Sequence, residues 1–197
     1  MPPKAKITRQ MILDTALELT RQAGFEAVNA RSIAGKLQCS TRPLFTCYEN
    51  MEQLKSEFLA FAYEYYERYV AAYRAGSGVG PGPGLLLPLS YVEFARQEPN
   101  LFRLLFISDM DLALHRPQDF YKERGNEKKA AAFARALDLD PERAKVVFLD
   151  LFLYTHGIAV LAATNKLTLG ERDVENMVAN VLSAFLQRQT PAARGPA

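Results

Sequence analysis

The stretch that decides the reading is Lys36–Leu54, KLQCSTRPLFTCYENMEQL. Two cysteines, a Ser-Thr pair, a proline, an arginine and two aromatics crowd into it. Such a mix suits a metal loop, a redox pair or a surface shaped to lie against another molecule. Cys39 and Cys47 stand eight apart, which is neither a CxxC pair nor a disulfide framework, so they read as small apolar residues beside helices. Ser40 or Thr41 can cap a short helix, with Pro43 in its first turn, where a missing N–H is harmless. Ahead of it, Asn29 can cap another helix with Ile33, Ala34 and Leu37 on its inner face. RSIAGKLQCSTRPLFTCY, Arg31–Tyr48, thus carries the spacing of a helix-turn-helix. Ala34 falls where two helices approach closely, Cys39 at the buried turn position, and Leu44 faces the core, while Arg42 and Phe45 point outward. In such a unit the short second helix enters the major groove, its first residues meeting base edges and phosphates.

Helical periodicity continues on both sides. From Thr8, a plausible cap, Ile12, Ala16, Leu19 and Ala23 form a stripe that Gly24 stops, with Phe25 as the hydrophobic contact after it. A long helix from about Glu52 to Arg74 carries an aromatic band of Phe58, Phe61, Tyr65, Tyr69 and Tyr73. GSGVGPGPG, Gly76–Gly84, cannot hold a helix or pack a core and reads as a connector. A helix over 85–97 is broken by Pro99 and restarts at Asn100. SDMDLALHRPQD is irregular, and a helix near Phe120–Leu137 follows. Asp140 and Pro141 open a helix running to about Asn165. Thr168 and Glu171 form a capping box for a last helix to Gln189, with Val174, Val178, Val181 and Phe185 on one stripe. TPAARGPA is a tail. The expected class is all-α.

Net charge is +2, but residues 1–55 hold eight Lys/Arg against five Asp/Glu, an excess of three. A basic head on a neutral body suits a polyanion partner. No apolar run approaches the roughly 20 residues of a membrane helix; the longest, Val146–Leu161, is broken by Asp150 and His156. No secretory core follows the basic N-terminus, so a cytoplasmic location and no membrane partner are expected. The motifs HExxH, GxSxG, GxGxxG and the P-loop are all missing from the sequence. The expectation is therefore no enzyme, no cofactor, no metal and no catalytic residue.

The segment ILDTALELTRQAGFEAVNARSIAGKLQCSTRPLFTCYENMEQLKSEFL resembles the TetR family of bacterial transcriptional regulators. The resemblance rests on the Gly24-Phe25 turn, the xIAxxLxxS pattern, the aromatics Phe45 and Tyr48, and the acidic start of the next helix. It spans about a quarter of the chain. Later, YTHGIAVLAATNKLT looks like a body helix in one subset of the family. The resemblance implies a helix-turn-helix DNA-binding head over 1–53, a helical ligand-sensing and dimerisation body over 54–190, and a flexible tail over 191–197. It implies a repressor that binds a palindromic double-stranded operator as a homodimer, pairing through the last two helices. A small lipophilic or aromatic effector would release it.

Carried over by position, Asn29, Arg31, Thr41, Arg42, Pro43, Phe45 and Thr46 form the DNA-facing set, with Arg42 the reader of sequence. Phe45 departs from the family's tyrosine and so loses a phenolic bond to phosphate. Met51 stands where a phosphate-binding lysine is common; Lys55, one turn on, substitutes, and Lys6 reaches a flanking phosphate. Tyr48 packs the core. For the effector, the middle helices offer Phe94, Phe102, Phe106, Tyr121, Tyr154 and His156, with Leu105, Phe120 and Phe152 beside them. Each of these aromatics can equally be plain core, His156 a satisfied core histidine. The competing class is a helical protein–protein adaptor without specific DNA binding.

Overall fold

The computed structural model describes residues 6–76, 81–108, 114–123 and 125–187. Among them the chain is all-helical, with no strand. It divides into two compact units: Met1–Ala71 with Phe94–Met110, and Ala72–Glu93 with Asp111–Ala197.

In the first unit, α1 (Arg9–Ala23) starts at Thr8, whose hydroxyl accepts the Met11 N–H at 3.2 Å. It stops at Gly24, which takes φ +86°, a conformation open to glycine, and donates its N–H to Thr20 O. α2 (Ala30–Lys36) begins in a reciprocal cap: Asn29 Oδ1 accepts from Arg31 and Ser32, and Ser32 Oγ accepts the Asn29 N–H. α3 (Arg42–Cys47) follows a turn in which Gln38 adopts φ +50°. α4 (Met51–Gly76) is held at its start by Asn50 and Gln53, which exchange bonds with the 49–53 backbone at 2.8 Å each. The expected boundary at 53/54 falls inside this unbroken helix.

α5 (Leu86–Gln97) leads into α6 (Pro99–Arg103) and a π-helical turn over Leu104–Ser108. The first unit's core joins Ile12, Ala16, Ile33, Leu54, Phe58, Phe94, Leu101 and Phe102, all at most 1% exposed. Each such large side chain is worth about 1.5–3 kcal/mol on burial. Tyr66 sits edge-on to Phe94 at 5.0 Å and to Phe106 at 4.9 Å.

In the second unit a 3₁₀ turn over Pro117–Lys122 precedes α7 (Asn126–Leu137), α8 (Pro141–Ala163) and α9 (Glu171–Gln187). Asp140 caps α8 as expected, accepting from Glu142 and Arg143. α7 packs on α8 through Phe133 and Phe148, centroids 5.4 Å apart, and the 3₁₀ turn packs through Phe120 on Phe152 at 4.8 Å.

Several expectations need correction. Ile12 and Ala16 are buried as expected, but Leu19 is half-buried and Ala23 exposed, and the inner face of α1 also takes in Leu13, Thr15 and Thr20; the Thr20 hydroxyl is spent on Ala16 O, so it buries at little cost. The buried seam of α4 is Leu54, Phe58, Ala62 and Tyr66, spaced four; Phe61, Tyr65, Tyr69 and Tyr73 are half-buried beside it. Cys39 and Cys47 are half-buried, not buried. Gly84 does pack a core: it takes φ +80°, and a Cβ there would come within 2.9 Å of Leu137 and 3.1 Å of Phe133. The single helix expected near Phe120–Leu137 is two elements, divided at Gly125 with φ +88°. At α9 it is Asp173, not the Thr168–Glu171 pair, that reaches back, accepting the Gly170 N–H at 3.3 Å. α8 is 23 residues and, by length and composition, apolar enough to cross a membrane; half of its most apolar stretch is buried inside the protein. The expected tail over 191–197 and parts of the 76–84 and 108–119 segments lie outside the described residues.

Candidate nucleic-acid interface

α3 is six residues long, and only Leu44 is buried, at 2% exposure. With 3.6 residues per turn, positions 42, 45 and 46 share the opposite face. All three are exposed, Phe45 by 51%. Pro43 and Cys47 flank this face half-buried. Thr41 stands at the cap position with helical backbone, and its side chain makes no capping bond, contrary to expectation. Thr46 Oγ1 donates to Arg42 O at 3.1 Å.

The charges of the segment sort into two groups. Arg9 is bound to Glu57 at 2.7 Å and to Cys47 O at 2.8 Å, and it lies over the Tyr48 ring. Arg21 is bound to Glu98, and Lys36 to Glu18, whose carboxyl is thereby held below the usual range. Lys55, expected to face phosphate, is half-buried with its Nζ 5.6 Å from the Phe25 ring centroid. Arg31 and Arg42 are exposed, and their side chains meet no carboxylate or other partner among the described residues. Lys6 is exposed as well. The Asn29 side chain is used by its own helix as a cap. Tyr48 is core, as expected, at 3% exposure, but its hydroxyl is buried without a hydrogen-bond partner among the described residues. Burial first, then the charge of Glu57, pushes its ionisation up to about 12.

The six effector candidates fall into different units. Phe94, Phe102 and Phe106 pack against one another and against Tyr66 in the first, Phe94 and Phe102 with no exposure. Tyr121, Tyr154 and His156 are half-buried in the second. The Tyr121 hydroxyl donates to Lys145 O. His156 Nδ1 lies 3.0 Å from the Tyr91 hydroxyl, and its ring stacks on Phe152 at 5.7 Å. Burial holds its pKa below the usual histidine value. Tyr91, 65 residues from His156, has no sequence signal that pairs it with that ring.

A second group was equally invisible in sequence. Glu98, 6% exposed, accepts from Arg21 Nε at 2.7 Å through Oε2 and from the Tyr65 hydroxyl at 2.9 Å through Oε1, and Arg21 Nη2 lies 2.6 Å from that same Oε1. This ties the end of α1 to α4 and to the corner between α5 and α6. Among the described residues no group of three His, Cys, Asp or Glu side chains is placed to hold a metal ion. No protein-family model matches the chain, and no curated protein is significantly similar to it.

Proposed function

We propose that the chain is a DNA-binding transcriptional regulator whose α2–turn–α3 segment is a helix-turn-helix that places α3 in the major groove. The observation that carries the reading is the outward face of α3. It offers Arg42 with no side-chain partner among the described residues, as at Arg31, while Arg9, Arg21 and Lys36 are paired to carboxylates within the chain. An unpaired guanidinium on the first turn of a short exposed helix is matched to guanine O6 and N7 or to phosphate.

The rest of the proposal follows the resemblance. Two copies pair through α8 and α9 and read a palindromic operator as a repressor. α8 supports this with Val146, Leu153 and Leu161, exposed by 62%, 50% and 43%, which leave apolar surface open to an isologous contact. A small lipophilic or aromatic effector enters the second unit near Tyr121, Tyr154 and His156. It must bind the non-operator geometry more tightly than the operator geometry, or it shifts nothing.

The test is fluorescence anisotropy on the duplex upstream of the protein's own gene, at two salt concentrations, with excess unrelated DNA. Specific binding is expected to survive competitor. It should fall in Arg42→Ala by roughly 5- to 150-fold, the equivalent of about 1–3 kcal/mol for one bidentate base contact. Absence of binding at low salt would overturn the reading and promote the adaptor.

A further inference from the structure

Arg42 does not exhaust the outward face of α3. Phe45 is half-exposed on a helix otherwise polar outward, and no ring or cation contact holds it among the described residues. Lacking a hydroxyl, it cannot donate to a phosphate oxygen. Next to it, Thr46 spends its hydroxyl hydrogen on Arg42 O, which leaves its methyl and the acceptor side of its oxygen to a partner. The exposed face of α3 therefore offers a cation and, on the same face, the Phe45 ring and the Thr46 methyl.

The base edges of the major groove carry hydrogen-bonding groups at every position and a single apolar group, the 5-methyl of thymine. We propose that Phe45 and the Thr46 methyl recognise that group, so that each operator half-site carries a thymine beside the base read by Arg42. The inference rests on the DNA-binding reading above. The occupant is fixed by the flanking charge: Arg42 on the same face of α3 draws a polyanion, and the apolar group that a major groove offers is the thymine methyl.

The experiment begins with selection of duplexes from a random pool by the full-length protein, followed by anisotropy on the selected duplex. Each thymine of the half-site is then replaced in turn by deoxyuridine, which removes the methyl alone. One position is expected to lose about 3- to 5-fold in affinity, as for withdrawing one methyl from an apolar contact. Restoring the methyl restores binding. Phe45→Ala, at a surface position, is expected to bind the thymine and deoxyuridine duplexes equally.

A selected duplex bound equally with every thymine replaced would overturn the inference while leaving the DNA reading intact. So would a deoxyuridine effect that persists unchanged in both Phe45→Ala and Thr46→Ser. Failure to enrich any duplex would overturn the DNA reading and this inference with it.

Discussion

Arg21→Met tests the link between α1 and the α5–α6 corner. The substitution keeps the apolar stem and removes the guanidinium. Glu98, whose side chain is 7% exposed, then keeps one donor, the Tyr65 hydroxyl, and loses both Arg21 contacts. Breaking a fully buried pair from one side costs about 3–5 kcal/mol because a charge is left uncompensated. Arg21 is itself 48% exposed, so water replaces part of what it supplied, and the loss should be about 2–3 kcal/mol. For a chain of this size that is a fall in Tm of roughly 4–12 °C. The assay is urea unfolding followed by circular dichroism, on Arg21→Met, Glu98→Leu and the double variant. Replacing both partners strands no charge, so the double variant should be less destabilised than the two singles added together. A loss below about 0.5 kcal/mol in Arg21→Met, or strict additivity across the cycle, would refute the reasoning.

Gly84→Ala forces a Cβ into a left-handed backbone and onto Leu137, Phe133 and Leu182, so it should cost about 2–4 kcal/mol in urea unfolding. Tyr48→Phe removes a buried hydroxyl that has no partner, and should leave stability at pH 7 unchanged or raised by up to about 1 kcal/mol. Folding favours the protonated phenol of Tyr48. Its contribution is present below pH 10 and lost as pH rises toward about 12, so thermal melts at pH 11 should favour the phenylalanine variant more than melts at pH 7. His156 is the opposite case. Burial lowers its pKa, so folding favours the neutral ring, and stability present above pH 6.5 is lost as the pH falls below it. Melts from pH 7.5 to 5 should show a shallower acid loss in His156→Gln than in the unaltered chain.

The starts of α1, α2 and α8 were legible because each is a local event. Thr8, Asn29 and Asp140 all cap as their types and positions demand, with partners two or three residues away. What was not legible is which apolar residue of a wide stripe faces inward. On α4 both the 54–58–62–66 seam and the expected band of Phe58, Phe61, Tyr65, Tyr69 and Tyr73 have helical spacing, sharing Phe58, and aromatic bulk marked the second. The choice falls to the first because Ala62, small and wholly buried, lets the helix approach its neighbours, with Phe58 and Tyr66 wedged on either side.

The same limit governs the site. Arg42 and Phe45 were readable as outward residues because Leu44 and the turn before α3 fix the phase of six residues. That Arg21 is clamped depends on Glu98, 77 residues away, and no spacing rule connects them; Arg42 meets no such carboxylate among the described residues. In this chain the distinction between a cation that holds the fold and a cation left for a partner is a tertiary property. It follows that sequence can name Arg42 from its place on α3, and that the three-dimensional pairing of Arg9, Arg21 and Lys36 removes those cations from the candidates.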